Sequence, residues 1–205
     1  AEGSFPVTYN TGDKVKHGSS YTFTVTVDPQ QQSVDRMQVS VNGNLLAIPA
    51  PTGNDTQRTY TFTVKNVTKD QDVQVSGIES RAYNVALRPE GGTIVGNSIN
   101  TYTYGEVTEL PTAERTGYAF AGWFENEAVA SSTNISATET GDKTYYARWT
   151  ANTYTVKYHD NDSFATESIA ETTAGTYGQS VTLKAGPEKY KDGVGSDVAN
   201  AQFLG

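Results

Sequence analysis

Two short stretches constrain this chain more than any others: Gly117-Tyr-Ala-Phe-Ala-Gly-Trp-Phe124 and Thr144-Tyr-Tyr-Ala-Arg-Trp149. Both alternate large and small residues, the pattern of a half-buried β-strand. Tyr118, Phe120 and, after the small pair Ala121-Gly122, Trp123 offer much apolar area in few residues. Strand neighbours two apart point the same way, so Tyr145, Ala147 and Trp149 share one face. Both of the chain's 2 tryptophans lie here, and a buried aromatic side chain covers about 150–250 Å². The two strands are expected to form the core of a small domain.

The remaining composition narrows the class. The chain has 205 residues, room for two domains or slightly more on the usual length relation. Its 23 acidic and 15 basic residues give a net charge of -8. With no local basic cluster, that argues against a nucleic-acid partner. Threonine and tyrosine favour strands and glycine punctuates turns, so the fold is expected to be all-β to β-rich. The absence of cysteine removes disulfides, thiol nucleophiles and thiolate metal ligands together. Such a composition fits the β-rich surface proteins of Gram-positive bacteria. No apolar run approaches the ~18–20 residues of a membrane span, so no membrane insertion is expected in this segment. The chain opens at Ala1-Glu2-Gly3 without a signal peptide and reads as a mature or trimmed segment.

From Phe5 to about Ile78, short strands alternate with turn clusters. Tyr21, Phe23, Val25 and Val27 share a face of one strand, which Asp28-Pro29 ends because proline cannot donate to a ladder. Met37-Gln-Val-Ser-Val41 runs into Asn42-Gly43, a strong signal for a tight hairpin. Leu45, Leu46 and Ile48 are expected to continue as its return strand. Tyr60-Thr-Phe-Thr-Val64 and Val73-Gln-Val75 complete the pattern. The string Tyr-Thr-Phe-Thr-Val occurs twice, and its differing flanks favour two strands facing one core over a repeat. Strand spacing of this kind predicts an immunoglobulin-like β-sandwich over residues 1–80.

A new unit opens with Tyr83-Asn-Val-Ala-Leu87, followed by a turn at Arg88-Pro-Glu-Gly-Gly92 and a strand at Asn100-Thr-Tyr-Thr-Tyr-Gly105. Residues 125–142 read as a polar loop, with one helical turn expected around Glu127–Ala130. Taken with Gly117–Phe124 and Asp142-Lys-Thr-Tyr-Tyr-Ala-Arg-Trp149, this stretch resembles the Listeria–Bacteroides repeat, the internalin B-repeat. That family's pattern is Gly-Tyr-x-Phe-x-Gly-Trp and then Thr-Leu-Tyr-Ala-x-Trp, with Tyr145 here in place of leucine. The resemblance covers residues 82–150 and implies a β-grasp-like module repeated along bacterial surface proteins. A partial second copy is expected over residues 151–205. Tyr154-Thr-Val156 matches Tyr83-Asn-Val85, Tyr177-Gly178 matches Tyr104-Gly105, and Phe203-Leu-Gly205 resembles Phe120-Ala-Gly122. On that alignment the copy lacks its closing strand, and residues after about 185 should be poorly ordered or packed on something borrowed.

Little in the sequence points to chemistry. His17 and His159 are isolated, and two histidines without cysteine do not make a zinc site. Asp160-Asn-Asp162-Ser163 offers oxygen ligands but not a full calcium loop, so a plain turn is favoured. No cofactor or metal site is expected, and no Gly-x-Ser-x-Gly elbow supports a hydrolase. Lys14, Lys16 and Lys65 lie near predicted strands of the sandwich and are candidates for a Lys–Asn isopeptide bond. Of 13 Tyr, 7 Phe and 2 Trp, most fall at strand positions that packing explains. Tyr102, Tyr146 and Tyr158 are expected to point away from the core and are the candidates for facing a ligand.

The sequence is therefore expected to be a non-catalytic fragment of an extracellular, bacterial cell-surface protein, serving as stalk or adhesion repeats. Its expected partner is a host or cell-wall protein or glycan. The alternative is a glycan-binding accessory module of a larger secreted or surface enzyme.

Overall fold

Threonine-rich alternation in the first part of the chain produces two facing sheets. The computed structural model describes residues 14–126, 131–159, 169–183, 190–191 and 197–198. One sheet holds β1 (Ser19–Val27), β5 (Thr52–Gly53) and β6 (Arg58–Val67) in the order β1-β6-β5. The other holds β3 (Gln38–Val41), β4 (Asn44–Leu45) and β7 (Val73–Ser76) in the order β4-β3-β7. The short strands β2 (Gln32–Ser33) and β8 (Glu79–Ser80) pair with each other.

The two Tyr-Thr-Phe-Thr-Val strings lie antiparallel in β1 and β6, with Phe23 opposite Phe62. Their rings stack at 5.1 Å and form one core with Val25, Val27, Tyr60 and, from the facing sheet, Val39 and Val41. On the other face the intervening threonines pair across the strands, Thr22 with Thr63 and Thr26 with Thr59. The period of two thus separates an apolar interior from a hydroxyl-lined exterior.

The Asn42-Gly43 hairpin is present, with both residues at positive φ (50° and 78°) as the tightest two-residue turn requires. Its return strand is shorter than expected. It ends at Leu45, and Leu45 and Ile48 stay 68% and 42% exposed, leaving Leu46 to pack against the core. Pro49 and Pro51 follow too closely for a long ladder to form.

The aromatic stretches build a second core. It comprises β9 (Ala82–Arg88), β10 (Thr93–Val95), β11 (Thr101–Thr103), β12 (Thr108–Glu109), β13 (Thr112–Glu114), β14 (Tyr118–Phe124), β15 (Asn134–Ile135) and β16 (Lys143–Ala151). The main sheet has the order β11-β9-β16-β14, with β9 and β16 parallel at its centre. First and last strands side by side and parallel are the arrangement of a β-grasp sheet. The helical turn expected at Glu127–Ala130 lies outside the described residues.

A bulge in β14 completes this core. The register slips between Phe120 and Gly122, and Gly122 sits at φ 120°. The extra residue lets Phe120 and Trp123, three apart, both face inward. They meet edge-on at 5.5 Å, and Phe120 also lies 5.3 Å from Trp149. As expected from the sequence, Tyr145 and Ala147 are buried and Trp149 packs against them.

Beyond Trp149, β17 (Thr153–His159) and β18 (Ile169–Thr176) form an antiparallel hairpin, and β19 (Tyr190–Lys191) pairs with β20 (Asp197–Val198). Among the described residues no other strand pairs with β17 or β18, and no helix occurs. Most of the stretch after 185, where poor order or borrowed packing was expected, lies outside the described residues.

Candidate functional site

The two tryptophans are held from both ends. Trp123 is 1% exposed and its indole N–H donates to the Pro111 carbonyl at 2.6 Å. The Trp149 indole N–H donates to the Pro89 carbonyl at 3.0 Å, pinning the turn after β9. Gly92 in that turn has no side chain because a Cβ there would sit 2.3 Å from the Trp149 ring. Each of these carbonyls accepts the one polar group of its indole. These rings are structural.

Tyr102 is also structural, which corrects the expectation that it points away from the core. It is 2% exposed, stacks on Tyr83 at 5.4 Å, and its hydroxyl donates to the Gly141 carbonyl at 2.6 Å. The reason is register: Tyr102 lies directly opposite Tyr83, whose ring packs on the core side of β9. Burial raises the pKa of its hydroxyl. Tyr146 stands 45% exposed, opposite Phe124 on one side and Arg88 on the other. On the same outer face, Arg148 covers the Phe124 ring at 4.1 Å and donates to the Asn126 carbonyl. Tyr158 belongs to β17, but its side chain lies outside the described residues.

A polar cluster unforeseen in the sequence closes the open end of the repeat core. Lys143, with 15% of its side chain exposed, reaches Glu139 at 2.6 Å and Glu125 at 3.2 Å. Burial works against its charge, but the hydrogen bonds that it donates to Glu139 and Glu125 outweigh it and hold its pKa above the ordinary lysine value. Beside it, the Tyr145 hydroxyl is pushed up to about 12 by burial and by the charge and hydrogen bond of Glu125. Asp142 accepts the Asn84 backbone N–H at 2.9 Å and its side-chain amide at 3.1 Å. These bonds, backbone first, lower its pKa. Every group here is matched to a neighbour, so the cluster ties Glu125 and the segment from Glu139 to Asp142 to β9 and β16. The sequence signal was the Glu139–Lys143 spacing of four in a stretch read as a plain loop.

The other candidates fall on exposed ground. His17 is exposed in a turn, and Lys14, Lys16 and Lys65 are all exposed. An isopeptide bond needs its amine buried beside an acid, so none of these three lysines has the setting for one. His159 has no described side chain, and the Asp160–Ser163 turn lies outside the described residues. Among the described residues no three His, Cys, Asp or Glu side chains gather as a metal site, and no helix is long and apolar enough to cross a membrane. A shallow groove of about 520 Å³ runs over the outer face of β3 and β7, lined by Gln38, Ser40, Leu45, Gln74 and Ser76 among others. It offers amides and hydroxyls but no aromatic platform for a sugar ring.

Comparison with known families agrees with the two cores. A model of the bacterial Ig domain matches residues 7–109, and a model of the Listeria-Bacteroides repeat domain matches residues 83–148. The chain belongs to the bacterial Ig-domain family and carries a Listeria-Bacteroides repeat. The Ig match runs past Ile78, the last residue packed on the sandwich core, into β9 and β11, whose side chains pack with Trp123. Residues 83–109 fall within both matches, and Val85, Leu87 and Tyr102 among them pack in the second core. Two relatives come from Evansella cellulosilytica. One, provisionally named a membrane protein, is 30% identical over 132 residues, covering 63% of this chain and 19% of the relative. The other, provisionally named a Gly-rich membrane protein, is 31% identical over 84 residues, covering 40% and 10%. The chain thus spans a small part of the length of either relative. No solved structure matches it.

Proposed function

We propose that this chain is a non-catalytic segment of an extracellular bacterial cell-surface protein, in which an Ig sandwich and tandem Listeria-Bacteroides repeats act as a stalk. The segment would hold an adhesive element away from the envelope, toward a host or cell-wall protein or glycan. The units proposed are a sandwich ending near Ser80, a repeat over 81–150 and a second, partial repeat from 151. The observation that carries the reading is the linkage. One residue separates β8 from β9, and one separates β16 from β17, so length is added with almost no slack. The pairing of Lys143 with Glu125 and Glu139, of Asp142 with Asn84 and of the Tyr102 hydroxyl with the Gly141 carbonyl supports a structural role over a catalytic one. Antibodies against the folded segment should label intact cells, and protease shaving should remove the epitope. An epitope reached only after lysis would sink the reading.

A second reading rests on Tyr146, an exposed ring flanked by Arg88 and Phe124 on the outer sheet face. Rings and guanidinium groups together suit an acidic glycan. A glycan array would support this if binding vanished in Tyr146→Ala, whereas a pure stalk binds nothing on the array.

A further inference from the structure

The two places where one unit leads into the next are built alike, from main-chain groups. Arg81 is the one residue between β8 and β9, and Asn152 the one between β16 and β17. The Arg81 N–H donates to the Gln31 carbonyl of the sandwich at 2.9 Å, and its own carbonyl accepts the Tyr104 N–H at 2.9 Å. The Asn152 N–H donates to the Gly117 carbonyl of the repeat at 2.9 Å, and its carbonyl accepts the Tyr177 N–H at 2.8 Å. Each linking residue thus gives its donor to the unit before it and its acceptor to the unit after. Both following units present the same acceptor-seeking turn, a tyrosine and then a glycine at positive φ, Gly105 at 91° and Gly178 at 76°.

Side chains reinforce the second junction. Gly117 sits at φ 79°, and a Cβ on it would lie 2.3 Å from the Tyr177 ring. Tyr177 therefore occupies the space where any other residue would carry a side chain. The Tyr118 ring meets Tyr177 edge-on at 5.5 Å and 73°, and the Arg115 guanidinium lies over Tyr118 at 4.1 Å. Tyr118 is not among the residues that pack the Trp123 core. The opening Gly-Tyr of the aromatic stretch thus faces the neighbour, while its Phe and Trp face the interior.

We propose that Gly117, Tyr118 and Arg115 form a docking socket for the Tyr-Gly turn of the following repeat, and that socket and one-residue clasp together hold successive units in a fixed orientation. The partner that fits is a tyrosine preceding a glycine at the end of a hairpin that starts directly after the linking residue. The socket needs glycine at 117 for two independent reasons, the left-handed backbone and the ring above it. The guanidinium over one ring, with that ring edge-on to the next, gives a rigid surface with few rotamers to freeze on docking. This deepens the stalk reading and rests on it only for the joint's use: a stalk with set angles projects its tip farther than a string of swivelling beads.

The test is nuclear magnetic resonance on the full chain, with residual dipolar couplings measured for the repeat and for β17–β18. In the native chain both should fit one common alignment tensor. Tyr177→Ala should lose the common tensor, and Tyr177→Phe, which keeps the ring, should retain it. Because Tyr177→Ala could loosen its own hairpin, Tyr118→Ala removes the other side of the contact and leaves the hairpin sequence intact. It too should lose the common tensor. Independent tensors in the native chain overturn the proposal, and so does a common tensor that survives Tyr118→Ala. Cell-surface labelling separates this from the stalk reading. A stiff joint in a protein that is not displayed leaves the socket standing and the stalk refuted, and a displayed protein with independent tensors does the reverse.

Discussion

The strands β9 and β17 begin in the same way, directly after a linking residue, and each has an antiparallel partner later in the chain, β11 for β9 and β18 for β17. Their surroundings differ. β9 lies between β11 and β16, and its Tyr83 is half-buried. β17 has β18 on one side, and its Tyr154 is 53% exposed. Opposite Tyr83 stands Tyr102, and opposite Tyr154 stands Gly175. A two-stranded hairpin buries little by itself. What turns it into a core is the strand added to its free edge, together with a large ring facing it from the partner strand.

The largest effect should come from the strand-borne ring that completes the first sheet. Trp123→Ala removes a fully buried side chain and its bond to Pro111, costing about 3–5 kcal/mol. Denaturation followed through Trp149 fluorescence should show the repeat melting early. Tyr154→Ala should leave that transition in place, and an equal loss from both variants would end the contrast.

Next is the facing position. Tyr102→Gly, which installs the residue found in the hairpin, should cost the repeat a further few kcal/mol, about 3–5 by analogy with other aromatic deletions. Tyr102→Phe should cost only about 1–2, from the orphaned Gly141 carbonyl. In the reverse direction, a Cβ at Gly175 would make only ordinary contacts with Val181, at 3.7 Å. Gly175→Tyr should therefore gain about 0.2–1 kcal/mol from a ring facing Tyr154, read as slower amide exchange in β17. Faster exchange would show that the two hairpins differ in more than this position.

The polar closure of the repeat should matter less. Lys143→Met should cost about 1 kcal/mol or less, because Glu125 and Glu139 remain 37% and 44% exposed. Its clearer mark is in alkaline unfolding. Lys143 and Tyr145 both have raised folded-state pKa values, Tyr145 at about 12. Their contributions are complete below the unfolded values of about 10.4 and 10 and are lost as pH rises through the folded ones. The native repeat should lose stability above about pH 10, and Lys143→Met should flatten that decline.

The smallest effect is on the acid side. The Asp142 pKa is lowered by Asn84, so its contribution is present above the unfolded value of about 3.9 and fades as pH falls through the folded one. Asp142→Asn should blunt the acid limb of a thermal-melt profile. An unchanged profile would place the loop's hold elsewhere.

Where period and turn chemistry acted locally, the fold could be read in advance. The Asn42-Gly43 turn follows from turn chemistry, and the inward faces of β1 and β6 and the Tyr145–Ala147–Trp149 face follow from alternation. Tyr102 was misplaced because β11 has three residues, too few for alternation to choose a face; the choice is made by pairing with Tyr83. The Gly122 bulge likewise breaks the period that would have set Phe120 and Trp123 on opposite sides. Lys143 escaped notice because its acids arrive from a loop, and only the closed chain brings Glu125 beside it. Gly117 and Tyr118 were counted with the core since their neighbours are core. A sequence shows that a ring will be covered, but not by which unit.

The parallel pairing of β9 and β16 has a mechanical consequence. Neighbouring units attach at the start of β9 and at the end of β16, the opposite ends of two strands that run side by side. Tension along the chain therefore pulls these strands past each other. The ladder from Val85–Lys143 to Arg88–Tyr146 is loaded in shear, and its bonds must fail together instead of unzipping one by one.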